Sequence, residues 1–238
     1  MPSALNQKKP NFEQLEKLIH YKFNNISLLK EALTHRSAGS GNNERLEFLG
    51  DSILNFVIAA ELYKCYPASS EGDLSRLRAS LVNKEGLYLV SQDLKLGDYL
   101  ILGSGELKSG GHRRNSILAD TVEAILGAVY MDGHFESCHA LILQLYKHQL
   151  KNIPDADSLK DPKTRLQELL QSRKLGLPEY NVIEVMGKAH NQQFTVSCEI
   201  DKLKLQTQGK ASNRRKAEQQ AADAIISQVK KIFEKKKQ

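Results

Sequence analysis

Tryptophan is absent from the 238 residues, and Phe, Tyr and Trp together make up only 6% of them. That scarcity alone says little about function. Cysteine is more telling. Cys65, Cys138 and Cys198 are odd in number, far apart and form no CxxC pair, so they read as ordinary reduced thiols of a cytosolic protein rather than as a disulfide framework. No run of about 18 apolar residues occurs, which excludes a membrane-spanning segment. The opening stretch, Met1 to Pro10, is polar, carries lysine and lacks an apolar core, which argues against a secretory signal. Proline is also rare, with six in all, and two of them, Pro154 and Pro162, bound a polar stretch of linker composition.

Positive charge is in excess, but unevenly. Ser158 to Gln238 holds 17 Lys and Arg against 9 Asp and Glu, net +8, which leaves 17 against 19, net −2, for residues 1 to 157. The overall +6 thus belongs to the C-terminal third. A basic module joined to a mildly acidic one implies a polyanion-binding part tethered to a part that holds cations, with a merely solvated basic surface as the alternative.

The acidic part has two patterned clusters. Wound as a helix at about 100° per residue, Asn43-Glu44-Arg45-Leu46-Glu47-Phe48-Leu49-Gly50-Asp51-Ser52 places Glu44, Glu47 and Asp51 in one sector. Leu46, Leu49, Ile53, Phe56 and Val57 gather on the opposite side, which is expected to face the core. Phe48 falls beside the acids, where something apolar is expected to cover its ring. A second pair, Asp120 and Glu123, is again spaced i, i+3, within an aliphatic run from Ile117 to Val129. Acids at helical spacing are often only a solvated face. Acids among aliphatic residues need a cation or a hydrogen-bond partner. If Ala119, Ala124, Gly127 and Ala128 allow close helix packing, both sets converge on one point, and crowded carboxylates suit a hard divalent ion such as Mg²⁺.

The run Asn43 to Ser52, together with Leu107-Lys108-Ser109-Gly110-Gly111-His112-Arg113-Arg114-Asn115-Ser116-Ile117-Leu118-Ala119-Asp120-Thr121-Val122-Glu123-Ala124, resembles the two signature blocks of the ribonuclease III family. The resemblance spans essentially the whole chain and the domain order. It implies an all-α endonuclease domain over residues 1–152, a linker at 153–160, a small α+β double-stranded-RNA-binding domain over 161–231 and a basic tail at 232–238. It further implies a Mg²⁺-dependent enzyme, with Mn²⁺ able to substitute, that hydrolyses both strands of double-stranded RNA. The ends left are 5′-phosphate and 3′-hydroxyl, and the substrates are ribosomal and other structured precursors in the cytoplasm. Glu47, Asp120 and Glu123 are the implied metal ligands. Asp51 and Glu123 handle the attacking water, with Glu44 and Glu71 in outer positions. Phe48 lies at a homodimer interface, and no membrane or organic cofactor is involved. The family commonly has an acid where Asn115 stands, so an outer role for that position is not carried over. Two rival readings are a non-catalytic RNA-binding protein and a phosphohydrolase of small esters.

Along the remaining chain, two short amphipathic helices are expected between residues 12 and 36, parted by Asn24-Asn25. His35 reads either as a ligand or, more simply, as a histidine closing a helix. Pro67 should end the acidic helix, and the run Ser69-Ser70-Glu71-Gly72-Asp73 should open the next with serine and aspartate as caps. Glycines bracket a phosphate-contacting loop that carries Lys108, Arg113 and Arg114. Glu136 and His139 match the Glu-x-x-His element of di-iron bundles, but such sites need two copies and only one is present.

The basic module reads α-β-β-β-α: a helix from Lys163 to Lys174, strands near 180–185, 194–200 and 204–207, and a helix from about Asn213 to Phe233 capped by Ser212. By resemblance, Gln167 and Gln171 on its first helix, His190 in the loop after the first strand, and Ser212, Arg214, Arg215 and Lys216 at the start of its last helix contact duplex RNA.

Overall fold

Side chains that accept from free helix N–H groups mark where most of the early helices begin. Asn11 caps α1 (Phe12–Ile19) and Asn25 caps α2 (Ile26–Ala32), followed by α3 (Glu44–Cys65). Ser70 caps α4 (Glu71–Leu81) and Asn83 caps α5 (Lys84–Asp93). A short α6 (Ser104–Lys108) leads to α7 (Asn115–Leu145) and α8 (Lys147–Lys151). The computed structural model describes residues 10–153, 159–188 and 191–235, and the chain divides into two compact units, 1–156 and 157–238.

Helix α7 is the axis of the first unit. From Ile117 to Val129 it is buried at every position but Asp120, as a helix apolar on all sides must be. Helices α2, α3 and α5 pack around it. Its helical backbone breaks at Gly133 and His134. Just before the break, Asp132 accepts from the Asn24 and Asn25 N–H groups and the Tyr21 hydroxyl, each at 2.8 Å. That carboxylate ties the α1–α2 connection to the centre of the unit.

Three expectations need correction here. The back of α3 is not one core stripe: Leu46, Ile53 and Val57 are buried, but Phe56 is 61% exposed. The helix has two apolar faces, one on α7 completed by Gly50, Leu54, Ile58 and Leu62, the other open and carrying Phe48, Phe56 and Tyr63. His35 does not close α2. Leu33 is the C-cap, and His35 Nδ1 accepts from the Ser37 N–H at 3.2 Å to open a short 3-10 turn, Arg36–Ala38. The glycine-bracketed stretch is not all loop, because Ser104–Lys108 forms α6.

The second unit comprises α9 (Pro162–Gln171), the antiparallel strands β1 (Glu179–Met186), β2 (Gln193–Ile200) and β3 (Leu205–Ala211) in that spatial order, and α10 (Arg214–Lys235). Leu166, Leu170, Cys198, Ile200, Ala221, Ile225 and Val229 form its core. Val196 pairs with Val182 on one side and Gly209 on the other. A side chain at Gly209 would come within 2.2 Å of the Ala217 carbonyl oxygen, so the glycine lets α10 lie close on β3. Strand β3 outruns its expected end because Gln208 to Lys210 pair with β2 while showing no apolar signal. Asn213, not Ser212, is the cap: its side chain accepts from the Lys216 N–H at 2.9 Å. Residues 232–235, expected in a basic tail, continue α10, with Phe233 against the core. Lys160, expected in the linker, pairs with Glu168 of α9 at 2.7 Å.

Candidate metal centre and nucleic-acid interface

The acids meet because α3 and α7 cross almost backbone to backbone. A side chain at Gly50 would lie 1.8 Å from the Glu123 carbonyl oxygen, and one at Gly127 would lie 2.2 Å from that of Leu46. The pairs 50 with 123 and 46 with 127 run in opposite senses, so the helices are antiparallel and each contributes one glycine. At this spacing Glu47, Asp120 and Glu123 each bring a carboxylate oxygen within 4.8 Å of the others. A Mg²⁺ ion with bonds of about 2.1 Å spans at most about 4.2 Å between opposite ligands, so small side-chain rotations close the set. The expectation that two separated acidic patches converge is met.

The electrostatics of the three acids call for a cation. Burial, then the charges of Asp51, Glu47 and Asp120, and a hydrogen bond to Asp51, push Glu123 up to about 8. Burial is also the main cause that raises Glu47, joined by Asp120 and Glu44. Asp120 is raised by burial against the opposing charges of Lys84, His35 and Arg36. Oxygen donors, partial burial and negative charge that the nearby cations offset only in part fit a divalent ion.

Beside the cluster lies a groove of about 410 Å³, lined among others by His35, Arg36, Glu44, Glu106 and Arg114. Glu44 is exposed and pairs with Arg36 at 3.6 Å, and Glu106 pairs with Arg114 at 3.0 Å. Asp51 is exposed at the cluster's edge, where Asn55 Nδ2 donates to its carboxylate at 2.8 Å. Glu71 is not brought to the centre within one chain. It opens α4 beyond the Pro67 break, accepts from the Ser75 hydroxyl at 2.8 Å and lines a separate groove with Leu62, Tyr63 and Arg78. Asn115 is exposed at the first position of α7. His139 packs beside Phe135 and, among the described residues, falls in no cluster of side chains that could hold a metal ion. Sequence reasoning missed Glu106 and Lys84. Both are isolated charges on short helices, and only the fold sets them beside residues 44–51 and 114–123.

In the second unit, Gln167 and Gln171 are exposed one turn apart on α9, and Arg214, Arg215 and Lys216 are exposed on the first turn of α10, next to exposed Ser212. His190 lies outside the described residues. Among the described residues no helix is long and apolar enough to cross a membrane.

A helical pair that gathers carboxylates beside a cation-bearing groove, followed by an α-β-β-β-α unit with a basic helix start, defines a metal-site nuclease domain joined to an RNA-binding domain. Residues 25–150 match the family model described as Ribonuclease-III-like, and residues 162–229 match the double-stranded RNA binding motif. Ribonuclease 3 of Histophilus somni is 53% identical over 92% of this chain and 98% of its own length. That of Buchnera aphidicola is 56% identical over 90% and 95%. The nuclease domain of Campylobacter jejuni ribonuclease III superposes with a TM-score of 0.58 at 41% identity, covering 59% of this chain and 99% of that domain. The chain belongs to the ribonuclease III family and is a double-stranded-RNA-specific endoribonuclease.

Proposed function

We propose that the protein acts as a cytoplasmic homodimer that hydrolyses both strands of duplex RNA with Mg²⁺, Mn²⁺ substituting, and processes ribosomal and other structured precursors. The convergence of Glu47, Asp120 and Glu123 on one point is the observation that carries this reading. These three would hold the ion, which when bound polarises the phosphoryl oxygen, activates water and steadies the departing 3′-oxygen. Asp51, steadied by Asn55, orients the attacking water and, with Glu123, takes its proton. Attack at phosphorus with loss of the 3′-oxygen leaves 5′-phosphate and 3′-hydroxyl ends. Glu44 stands outside this set, held by Arg36.

The open apolar face of α3 supports the dimer. Phe48 is 78% exposed, and Phe56 and Tyr63 share its face. The nuclease domain of Campylobacter jejuni ribonuclease III has a region involved in dimer formation. A second copy would also account for Glu71: Phe48 adjoins Glu47 in the chain, and the groove that Glu71 lines with Leu62, Leu74 and Tyr63 is apolar enough to take a phenyl ring. A ring seated there would carry Glu71 of the second copy toward the acids. Duplex strands are related by local twofold axes, so a twofold dimer presents one centre to each strand. In the other unit, Gln167, Gln171, His190, Ser212, Arg214, Arg215 and Lys216 would grip minor-groove hydroxyls and phosphates, with an affinity that falls steeply with salt.

Purified protein given long duplex RNA should produce short duplexes with 5′-phosphates in Mg²⁺ and leave the RNA intact in chelator. Cutting in chelator, or cleavage of single strands at the same rate, would reject the reading. Phe48→Asp places a charge on the open face of α3 and should sediment as a monomer. A variant that still sediments wholly as a dimer would remove this account of the ring.

A further inference from the structure

Glu218 is an acid in the middle of the cationic start of α10, yet it is one of the most buried charged groups in the chain, 8% exposed. Its two oxygens are both engaged: Oε1 accepts from Arg214 Nε at 2.8 Å and Oε2 accepts from Lys163 Nζ at 2.6 Å. Lys163 lies on α9 and Arg214 on α10, so one carboxylate joins a cation from each helix that faces duplex RNA in the reading above. The surroundings hold the same arrangement. Gln219, the next residue, accepts from the Lys163 N–H at 3.0 Å and donates to Asp161, the cap of α9, at 2.9 Å. The Lys163 ammonium also stands 4.3 Å from the centre of the Tyr180 ring, which restricts it from a third side.

The chemistry of the Arg214 bond matters most. Glu218 takes the Nε edge of the guanidinium, and the Arg214 side chain remains 62% exposed, so the terminal amino groups are left for another acceptor. A guanidinium fixed by one edge and open at the other is arranged to meet a phosphate with two parallel donors. Without Glu218, two like charges held close together would repel and swing independently on long stems.

We propose that Glu218 is a positioning residue for duplex RNA: it spaces Lys163 and Arg214 so that both helix starts engage one stretch of backbone. The inference rests on the duplex-RNA reading above but predicts a sign that charge alone does not. Glu218→Gln removes a negative charge from an RNA-facing surface, and counterion release by itself would then tighten binding. Positioning requires that it weaken.

The test uses the full-length protein in chelator, so that no RNA is cut, and a labelled duplex of about 20 base pairs, enough for one binding domain. Glu218→Gln is expected to raise Kd about tenfold, and equal or tighter binding would overturn the proposal. In a chain already carrying Lys163→Met and Arg214→Gln, the same change should add less than about twofold. A full loss in that background would mean that Glu218 supports the domain in some other way, and would also overturn it. Should Glu218→Gln melt below the assay temperature, Glu218→Asp, one methylene shorter, is expected to weaken binding several-fold in a folded domain, and unchanged binding there would count against the proposal. Failure of the unaltered protein to bind duplex RNA at all would instead remove the reading on which the inference stands.

Discussion

Glu123→Gln is expected to bind duplex RNA as the parent does and to cut it at least about a thousandfold more slowly in Mg²⁺. The substitution keeps the shape of the side chain and removes the charge that two functions share: one of three ligand oxygens, and the proton acceptor beside the attacking water. Binding survives because the cations of the second unit are untouched. A pH signature accompanies the loss. Glu123 sits at about 8 in the folded chain against an ordinary 4.5, so between those values the folded protein holds a proton that the unfolded chain has released. In chelator the melting temperature of the parent should therefore fall as pH rises from about 5 to 8. Glu123→Gln should flatten that fall. Mg²⁺ should raise the parent's melting temperature more at pH 8 than at pH 6, because at pH 6 the ion must first displace the proton. Asp51→Asn should likewise abolish cutting without loss of binding. Retained cutting by either variant would reject the roles assigned to these acids.

The acids were legible in the sequence because their chemistry is written in a short-range pattern. Glu44, Glu47 and Asp51 on one helix, and Asp120 and Glu123 on another, each fall in one helical sector, and the aliphatic residues around the second pair signal burial before any fold is known. The groove beside them is only partly legible. Arg114 reads as a phosphate-contacting cation and His35 as a possible ligand, but Glu106 lies on a five-residue helix too short to show a period, and only the fold sets it beside Glu44 and Asp120. The open face of α3 is legible only in part. Phe48 stands out as a ring beside acids, but Phe56 has the spacing of a core residue, and periodicity cannot say which of two apolar faces meets the partner helix. In the second unit the α-β-β-β-α order was plain, while the end of β3 was not: Gln208, Gly209 and Lys210 look like a turn until pairing with Thr195 to Ser197 makes them strand. The cap of α10 is ambiguous in the sequence for a similar reason, since Ser212 and Asn213 are both good caps and only the backbone path decides between them.

Gly50 carries no chemistry, and its replacement should be as damaging as that of any acid. A glycine inside a long helix ordinarily reads as a weak point that alanine would strengthen. Here the added methyl would lie 1.8 Å from the Glu123 carbonyl oxygen, 2.6 Å from its carbon and 2.9 Å from the Gly127 nitrogen. All three are backbone atoms of a helix buried on every side, so no side chain can rotate out of the way. The two helices must separate by more than an ångström, and the reciprocal contact of Gly127 with Leu46 opens with them. Overpacking of this kind costs about 3 kcal/mol, or about 10 °C in melting temperature for a unit of this size. The separation also carries Glu47 away from Asp120 and Glu123, so Gly50→Ala should lose cleavage even at temperatures where it remains folded, and should show a smaller Mg²⁺-induced rise in melting temperature. Gly105→Ala is the matched control: it too is helical, but nothing lies within 4 Å of its added methyl, and it should melt at or slightly above the parent's temperature and cut as the parent does. If Gly50→Ala melted within about 2 °C of the parent and kept its cleavage rate, the close crossing of α3 and α7 would not be what holds the metal ligands together.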